Sequence, residues 1–494
     1  MIIGGLDVGT TGCKIALYDG DARLIATYYR EYDAVHKDGC HEIDFRDIKS
    51  GVLSLLKQAA NEHKIDALGV TSFGETFAML DEKDNILAPS MLYTDPRGEK
   101  ECESLCRAVG EEKLTLLSGV KPHPMYSIFK IMWLKNNRPN AFSKCKRILL
   151  GEDFIVYTLT GTAQIDYSLA ARTGAFDIEK KLWIKEAFDA AGIDTSLMSK
   201  PVAAGTSAGI IKPEIKAEIG ISYDITVVNG CHDQVAAMIG SGVFNTNQAM
   251  DGTGTVECMP VILTKKPADI DFYRCGYSVV PYIEELYACY ALSFTGGATL
   301  KWFRDNFAEL EHSKALKEGK KVYAELDEKC GTKPSGILVL PHFAGAATPY
   351  MDNAAKAAFV GVTLETEKYD LYRALMEGTS YEMLLNFNKM SALTGIIDEI
   401  RASGGGAASD VWLQIKADIL NSEITALAAK EVGAAGTAAL AGTAVGAYEN
   451  FKDAAAKMVP VRKVFSPNPE NTEKYNELYH KYEKLYDAVK ELSL

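Results

Sequence analysis

A strand that ends in aspartate and runs into a glycine/threonine turn occurs twice in this chain. That repeat constrains the fold more than any other feature. Ile2 to Val8 is an apolar run interrupted by Asp7 and followed by Gly9-Thr10-Thr11-Gly12. Gln248 to Asp251 is followed by Gly252-Thr253-Gly254-Thr255. The copies stand about half the chain apart, a spacing that predicts two related domains. A chain of 494 residues is too long for one ordinary core. The join is expected near residue 245, giving domains 1–245 and 246–494, although no low-complexity linker marks it.

The segments around the first copy read as alternating layers. Cys13 to Tyr18 and Leu24 to Tyr28 are further strands, separated by the turn Asp19-Gly20-Asp21. Ile48, Val52, Leu55, Leu56 and Ala59 recur at helical spacing, and Ala67 to Thr71 is a short buried strand. Later, Thr226 to Asn229 reads as a strand, Gly230-Cys231-His232 as a turn and Asp233 as a helix start. This alternation predicts an α/β fold. Near the end, Tyr475, Leu478, Tyr479, Tyr482, Leu485, Tyr486 and Val489 form one stripe of a single helix, which packing against the body of the protein explains better than an interface.

Charge and composition exclude several classes. The net charge of −13 argues against a face built to grip nucleic-acid phosphate. No apolar run approaches the ~20 residues that span a bilayer. The start Met-Ile-Ile-Gly-Gly-Leu-Asp lacks the basic and apolar regions of a signal peptide, so a cytoplasmic protein is expected. Of ten cysteines only Cys102 and Cys106 are close in sequence, which predicts free thiols and no zinc site.

Four segments carry chemistry. In Asp7-Val8-Gly9-Thr10-Thr11-Gly12-Cys13-Lys14, the glycines allow a sharp turn whose N–H groups, with Lys14, can hold an anion. Asp7 beside phosphate is unfavourable unless a cation such as Mg²⁺ intervenes; a plain hairpin is the simpler alternative. Gly252-Thr253-Gly254-Thr255 supplies a second turn, and two facing turns suit a polyphosphate. No Walker A string occurs. Gly404-Gly405-Gly406 joins a strand to a helix bearing Trp412, Ile415 and Ile419, and lacks side chains on a surface where a nucleobase or ribose can lie. Asp233 follows a strand at a helix start, where it is either an N-cap or a general base. His232 beside it receives no role.

These segments, in this order, resemble the FGGY carbohydrate kinases. The resemblance spans nearly the whole chain and includes Leu6 to Thr11, Gly230 to Gly240, Ser293 to Asp305, Ser403 to Gln414 and Glu431 to Ala439. It implies two actin-like, RNase H-like domains around a cleft, and ATP-dependent phosphorylation of a sugar or polyol hydroxyl. Asp233 looks like the catalytic base and Asp7 the Mg²⁺-side carboxylate. Thr10, Thr11 and Lys14 resemble the first phosphate turn, Gly252, Thr253 and Gly254 the second. Gly297 resembles a nucleotide-phosphate contact, and Gly405, Gly406 and Ala407 the adenosine turn. On the acceptor side stand Glu75, Thr76, Asp95, Arg97, Asp233 and Gln234. Xylulokinases carry Met-His-Gly where this chain has Gly74-Glu75-Thr76, and glycerol kinases carry Arg-Glu-Thr. Gly74 thus removes a guanidinium, and the freed volume is expected to admit an acceptor longer than glycerol. A pentulose is the expected substrate, with a glycerol- or erythritol-type polyol as the alternative. The family also allows a homodimer. An actin- or chaperone-like ATPase driven by a protein partner is the rival from another class. A sugar-responsive regulator is disfavoured, since neither a basic tail nor a helix-turn-helix segment is found.

Overall fold

The structure is a computed structural model and describes residues 1–37, 39–429 and 431–492. Its frame is two mixed sheets. The first holds β1 (Ile3–Val8), β2 (Gly12–Tyr18), β3 (Leu24–Glu31), β4 (Ala67–Ser72), β5 (Ser207–Ile210) and β6 (Thr226–His232), in the order β5-β6-β4-β1-β2-β3. The second holds β7 (Gln248–Thr253), β8 (Glu257–Leu263), β9 (Ser278–Pro281), β10 (Tyr287–Ser293), β11 (Glu399–Ser403), β12 (Glu423–Leu427) and β13 (Val461–Phe465), in the order β9-β10-β8-β7-β11-β12-β13.

One plan is used twice. Strands β1-β2-β3 and β7-β8-β10 are antiparallel neighbours. Then β4 and β6, or β11 and β12, run parallel to the first strand on its other side. The doubled plan is that of two actin-like, RNase H-like domains. The central strands β1, β4 and β6 are buried almost throughout, which is why they read as continuous apolar runs.

The helices named here are α1 (Phe45–Glu62), α2 (Tyr167–Ala171), α3 (Asp233–Ser241), α4 (Gly297–Phe307), α5 (Lys368–Thr394), α6 (Asp410–Leu420), α7 (Val432–Ala444), α8 (Pro469–Tyr482) and α9 (Leu485–Lys490). Helix α1 buries Ile48, Val52, Leu55, Leu56 and Ala59, and the Asp44 carboxylate caps it by accepting from the Arg46 amide at 2.9 Å. Helices α3 and α7 each follow the fifth strand of their plan and pack on one another. Helix α7 is built almost wholly of glycine, alanine and threonine and is buried along its length. The reason is backbone-level contact: a Cβ on Gly5 of β1 would overlap the Ala434 carbonyl, and one on Gly240 of α3 the Val432 carbonyl. The last-named segment of the sequence resemblance therefore locks the two halves together.

Two local expectations are corrected. The turn placed at Gly230 to His232 is strand: β6 runs to His232, absorbing its irregularity as a register shift against β4 after Asn229. Asn229 causes it to hold there, because its buried amide bonds to Glu152 and Gln164. The single terminal helix is two, α8 and α9, parting at Glu483 and Lys484. Their shared face is core as expected, with Tyr475, Tyr479, Tyr482 and Tyr486 buried in the cluster that contains Trp412, Ile415 and Tyr381. All ten cysteines are free. Among the described residues no helix is long and apolar enough to cross a membrane.

Candidate active site

The register of each sheet places the chemistry. In the first, Asp7 pairs with Thr71 and Ser72 with His232, so Asp7, the Phe73–Thr76 loop and Asp233 all lie at or just beyond the carboxyl ends of adjacent parallel strands. In the second, Gly252 pairs with Ser403, which brings Gly252–Thr255 beside Gly404–Ala407 in the same way.

The first turn closes with the Gly9 amide donating to the Gly12 carbonyl at 2.9 Å, leaving Thr10 half-buried and Thr11 exposed. Across the hairpin Lys14 faces Asp7 and forms an ion pair with Glu431 at the start of α7. Burial raises the Asp7 carboxyl to about 6, with Lys14 pulling it down and Glu431 pushing it up. Gly433 of α7 leaves room for that carboxylate, since a Cβ there would lie 3.2 Å from Asp7 Oδ2.

Asp233 is the first residue of α3, with its side chain 33% exposed. Burial raises its carboxyl to about 7, helped by the negative charges of Asp7 and Glu75 and opposed by Arg172. Its Oδ1 has no hydrogen-bond partner, although His232 Nε2 stands 3.2 Å away without bonding geometry. The His232 ring is buried and neutral, because burial first and Arg172 second hold its pKa well below the usual value. It does not compete with Asp233 as a base. Gln234 follows, half-buried on the same turn.

The acceptor side turns on a residue that the sequence reading passed over. Glu75 is 4% exposed, held in a left-handed backbone conformation with φ 63°, and its carbonyl accepts from Ser127 Oγ at 2.6 Å. Its carboxylate takes Nε of Arg172 at 2.6 Å and also pairs with Nη2. Arg172, just after α2, is 7% exposed and lies over the Tyr126 ring at 5.2 Å. The volume freed at Gly74 is not open: a Cβ there would stand 3.1 Å from Arg172 Cγ and 3.2 Å from His232 Nε2. The Arg172 stem fills the space beside Gly74, and its guanidinium reaches Glu75. The signal was Glu75 itself, a carboxylate in an apolar stretch that needed a counter-ion. Thr76 is fully buried, with Oγ1 unpartnered.

Asp95 and Arg97 are placed differently from a free acceptor contact. The Asp95 carboxylate accepts from Arg97 Nε and Nη2, each at 2.7 Å, and from the amides of His41 at 2.8 Å and Arg97 at 3.0 Å. Burial works against ionisation of Asp95, but these bonds outweigh it and its pKa is lowered. Arg97 also holds Glu42 at 2.6 Å and covers Trp133. The Asp95 carboxylate is thus fully engaged within the protein. In the same segment Tyr93, 43% exposed, is the residue whose phenol feels the charges of Glu75 and Asp233.

In the second sheet the turn and the glycine run fit each other as much as any ligand. A Cβ on Gly404 would lie 2.6 Å from the Thr253 carbonyl oxygen, and one on Gly406 2.6 Å from Thr253 Cγ2, whereas Gly405 meets nothing closer than 4.0 Å. Of the three glycines, Gly405 is thus the one turned to open space, and Ala407 is buried behind it. Thr253 is 1% exposed, and its hydroxyl is engaged with Asp251, Glu257 and Lys416. It presents only backbone to a ligand. Lys416 of α6 donates to Asp251 at 2.5 Å and Glu257 at 2.6 Å, so Asp251, the counterpart of Asp7, is neutralised internally. The Gly297 amide donates to the Gly254 carbonyl at 2.8 Å, docking α4 against the turn.

Asp233, with its raised carboxyl, thus stands at the carboxyl ends of the parallel strands of one actin-like domain, and the Gly252–Thr255 and Gly404–Ala407 turns at those of the other. Residues 2–240 match the N-terminal domain of the FGGY family of carbohydrate kinases and residues 252–445 its C-terminal domain, and the chain belongs to that family. The xylulose kinase of Staphylococcus xylosus is 25% identical over 492 residues, covering 98% of this chain and 99% of the relative. The glycerol kinase of Thermococcus gammatolerans is 28% identical over 498 residues, covering 98% and 96%. The ligand-bound xylulose kinase of Lactobacillus acidophilus has the same fold, with a TM-score of 0.89 at 23% identity, covering 99% of this chain and 98% of that one. Membership of a sugar-phosphorylating family sets aside the partner-driven ATPase and the regulator.

Proposed function

We propose that the chain transfers the γ-phosphoryl group of ATP to a hydroxyl of a pentulose of the xylulose type, with Asp233 as general base. The acceptor oxygen attacks phosphorus in line, the bond to the β,γ-bridging oxygen breaks, and ADP leaves. Asp233 takes the hydroxyl proton. The observation that carries this reading is the bare Asp233 Oδ1, on a carboxyl raised to about 7 and lying between Asp7 and Glu75. A base poised near working pH is suited to this proton transfer.

The nucleotide phosphates fit the backbone of Thr10, Thr11, Gly252, Thr253 and Gly254, with Lys14 adding charge, Gly297 bracing the second turn, and adenosine against Gly405, Gly406 and Ala407. Among the described residues no three His, Cys, Asp or Glu side chains converge as a metal site. Mg²⁺ needs no such cage, because one or two carboxylates and substrate phosphates hold it. Asp7 fits that role: it is a half-buried carboxylate next to a phosphate turn, with its pKa already raised by burial. When bound, the ion would neutralise polyphosphate charge.

Both halves contribute backbone and side chains to one cleft, so positioning and charge stabilisation supply most of the acceleration. The xylulose kinase relatives favour a pentulose. The Glu75-Thr76 pair, with a guanidinium on Glu75, favours a glycerol- or erythritol-type polyol as the second reading. Coupled ADP release with ATP·Mg²⁺ decides between them, on D- and L-xylulose, D- and L-ribulose, gluconate, erythritol and glycerol. A pentulose is expected to give the highest kcat/KM; a polyol in that place would replace it.

A further inference from the structure

The guanidinium of Arg172 is only partly used by the protein. Its Nε and Nη2 are held by Glu75, and its aliphatic stem fills the place beside Gly74. The ring of Tyr126 covers it, and the neutral His232 ring and Tyr290 stand on the remaining side. Its Nη1 is buried and has no hydrogen-bond partner. A buried charged donor left without a partner is unfavourable, and native structures rarely retain one unless something else fills the position. Asp233 Oδ1 is bare as well, and Arg172 is near enough for its charge to act on that carboxyl. Nη1 lacks an acceptor and Asp233 Oδ1 lacks a donor, and a polyhydroxylated chain offers both.

We propose that Arg172 is a specificity-determining residue of the acceptor site: positioned by Glu75, its Nη1 donates to one oxygen of a neutral polyhydroxy acceptor. The inference rests on the sugar-kinase reading of this site and names the class of acceptor. Neutrality follows from charge. Arg172 acts on both Glu75 and Asp233, Lys130 on Glu75 and Lys14 on Asp7, and the negative charges of Asp7 and Glu75 both press on Asp233. An aldonate carboxylate would add a further negative charge to a site already rich in them.

The test is a cycle between the side chain and the ligand. Arg172→Lys keeps a cation for Glu75 but removes the planar fork. The unaltered protein and this variant are assayed by ADP release with ATP·Mg²⁺ on D-xylulose, its 1-, 3- and 4-deoxy analogues, xylitol, glycerol and gluconate. In the unaltered protein, loss of one particular oxygen is expected to lower kcat/KM by about 10- to 100-fold, the scale of a hydrogen bond to a charged group. In Arg172→Lys that one penalty vanishes, the penalties at other positions persist, and KM for ATP stays within about threefold. The same pattern of penalties in both proteins would overturn the assignment and leave Arg172 as a brace for Glu75. Gluconate as the best acceptor would overturn the neutral class. No acceptor-dependent ADP release from the unaltered protein would overturn the reading of the acceptor site, and Arg172 with it. A double variant, Arg172→Met with Glu75→Gln, leaves no buried charge unpaired. It is expected to show the same lost penalty, so misfolding of one variant does not decide the outcome.

Discussion

As the proposed base, Asp233 should give the reaction a pH dependence that its own side chain can be made to report. With its carboxyl at about 7, the fraction present as base falls to about one in ten at pH 6 and about one in a hundred at pH 5. An ordinary aspartate would stay ionised over that whole range. Initial rates with both substrates well below KM follow the free enzyme, and should fall by those factors from a plateau above pH 8. Asp233→Asn should lower turnover by about 10²–10⁴-fold and abolish this limb. The same shift has an opposite sign in stability. Unfolded, the carboxyl titrates near 3.8, so above pH 7 the folded protein holds a charge that burial disfavours, and that cost shrinks as pH falls from about 7 towards 3.8. Asp233→Asn should therefore raise Tm at pH 8, with the gain shrinking below pH 7 and gone only as pH falls to about 3.8. A flat rate profile from pH 5 to 8, or a variant with near-normal turnover, would refute the assignment.

Other consequences are structural. Lys416→Met strands Asp251 and Glu257 as buried carboxylates, and should cost about 3–5 kcal/mol in denaturant unfolding. Adding Asp251→Asn and Glu257→Gln should recover most of that loss. Gly240→Ala forces a Cβ into the Val432 carbonyl and should lower stability by at least ~1–3 kcal/mol, read as a fall in Tm. Tyr475→Phe removes a hydroxyl that donates to Glu377 and accepts from Arg373, each at 2.8 Å, and should cost about 1–3 kcal/mol with both KM values unchanged.

The fold was legible where its logic is local. Asp7-Val8-Gly9-Thr10-Thr11-Gly12 and its second copy announce a strand end and a turn within a few residues, and the sheets repeat one plan accordingly. The place of Asp233 was legible for the same reason, since it stands at a strand-to-helix junction. What stayed hidden depends on partners far away in the chain. Glu75 is separated from Arg172 by 97 positions and Asp251 from Lys416 by 165, and no spacing rule connects either pair. Asp95 and Arg97 illustrate the converse. Their types and their segment suit a sugar site, but only the bonds to each other, to Glu42 and to the His41 amide show them to be engaged within the protein. The glycines at 404 and 406 were legible as a bare surface, yet what needs that surface is Thr253, about 150 residues earlier.

The duplicated motif has diverged in electrostatics while keeping its geometry. Asp7 and Asp251 occupy the same place on the first strand of each sheet, each parallel to the strand that carries the neighbouring loop. Asp251 is buried beneath Lys416, which also binds Thr253 and Glu257, so the second turn is rigid and presents only backbone. A nucleotide's phosphates and ribose suit such a surface, because backbone N–H groups hold them without titrating. Asp7 has no such lysine beneath it. Lys14 shares its charge with Glu431, and Asp7 remains half-buried and raised to about 6, close enough to Asp233 to help push it to about 7. One copy is thus paired internally, and the other is left to raise the neighbouring carboxyl, which suits the binding and base roles proposed for the two halves. One lysine on α6 therefore separates the role of each half, and its removal should weaken nucleotide binding before it touches the titration of Asp233.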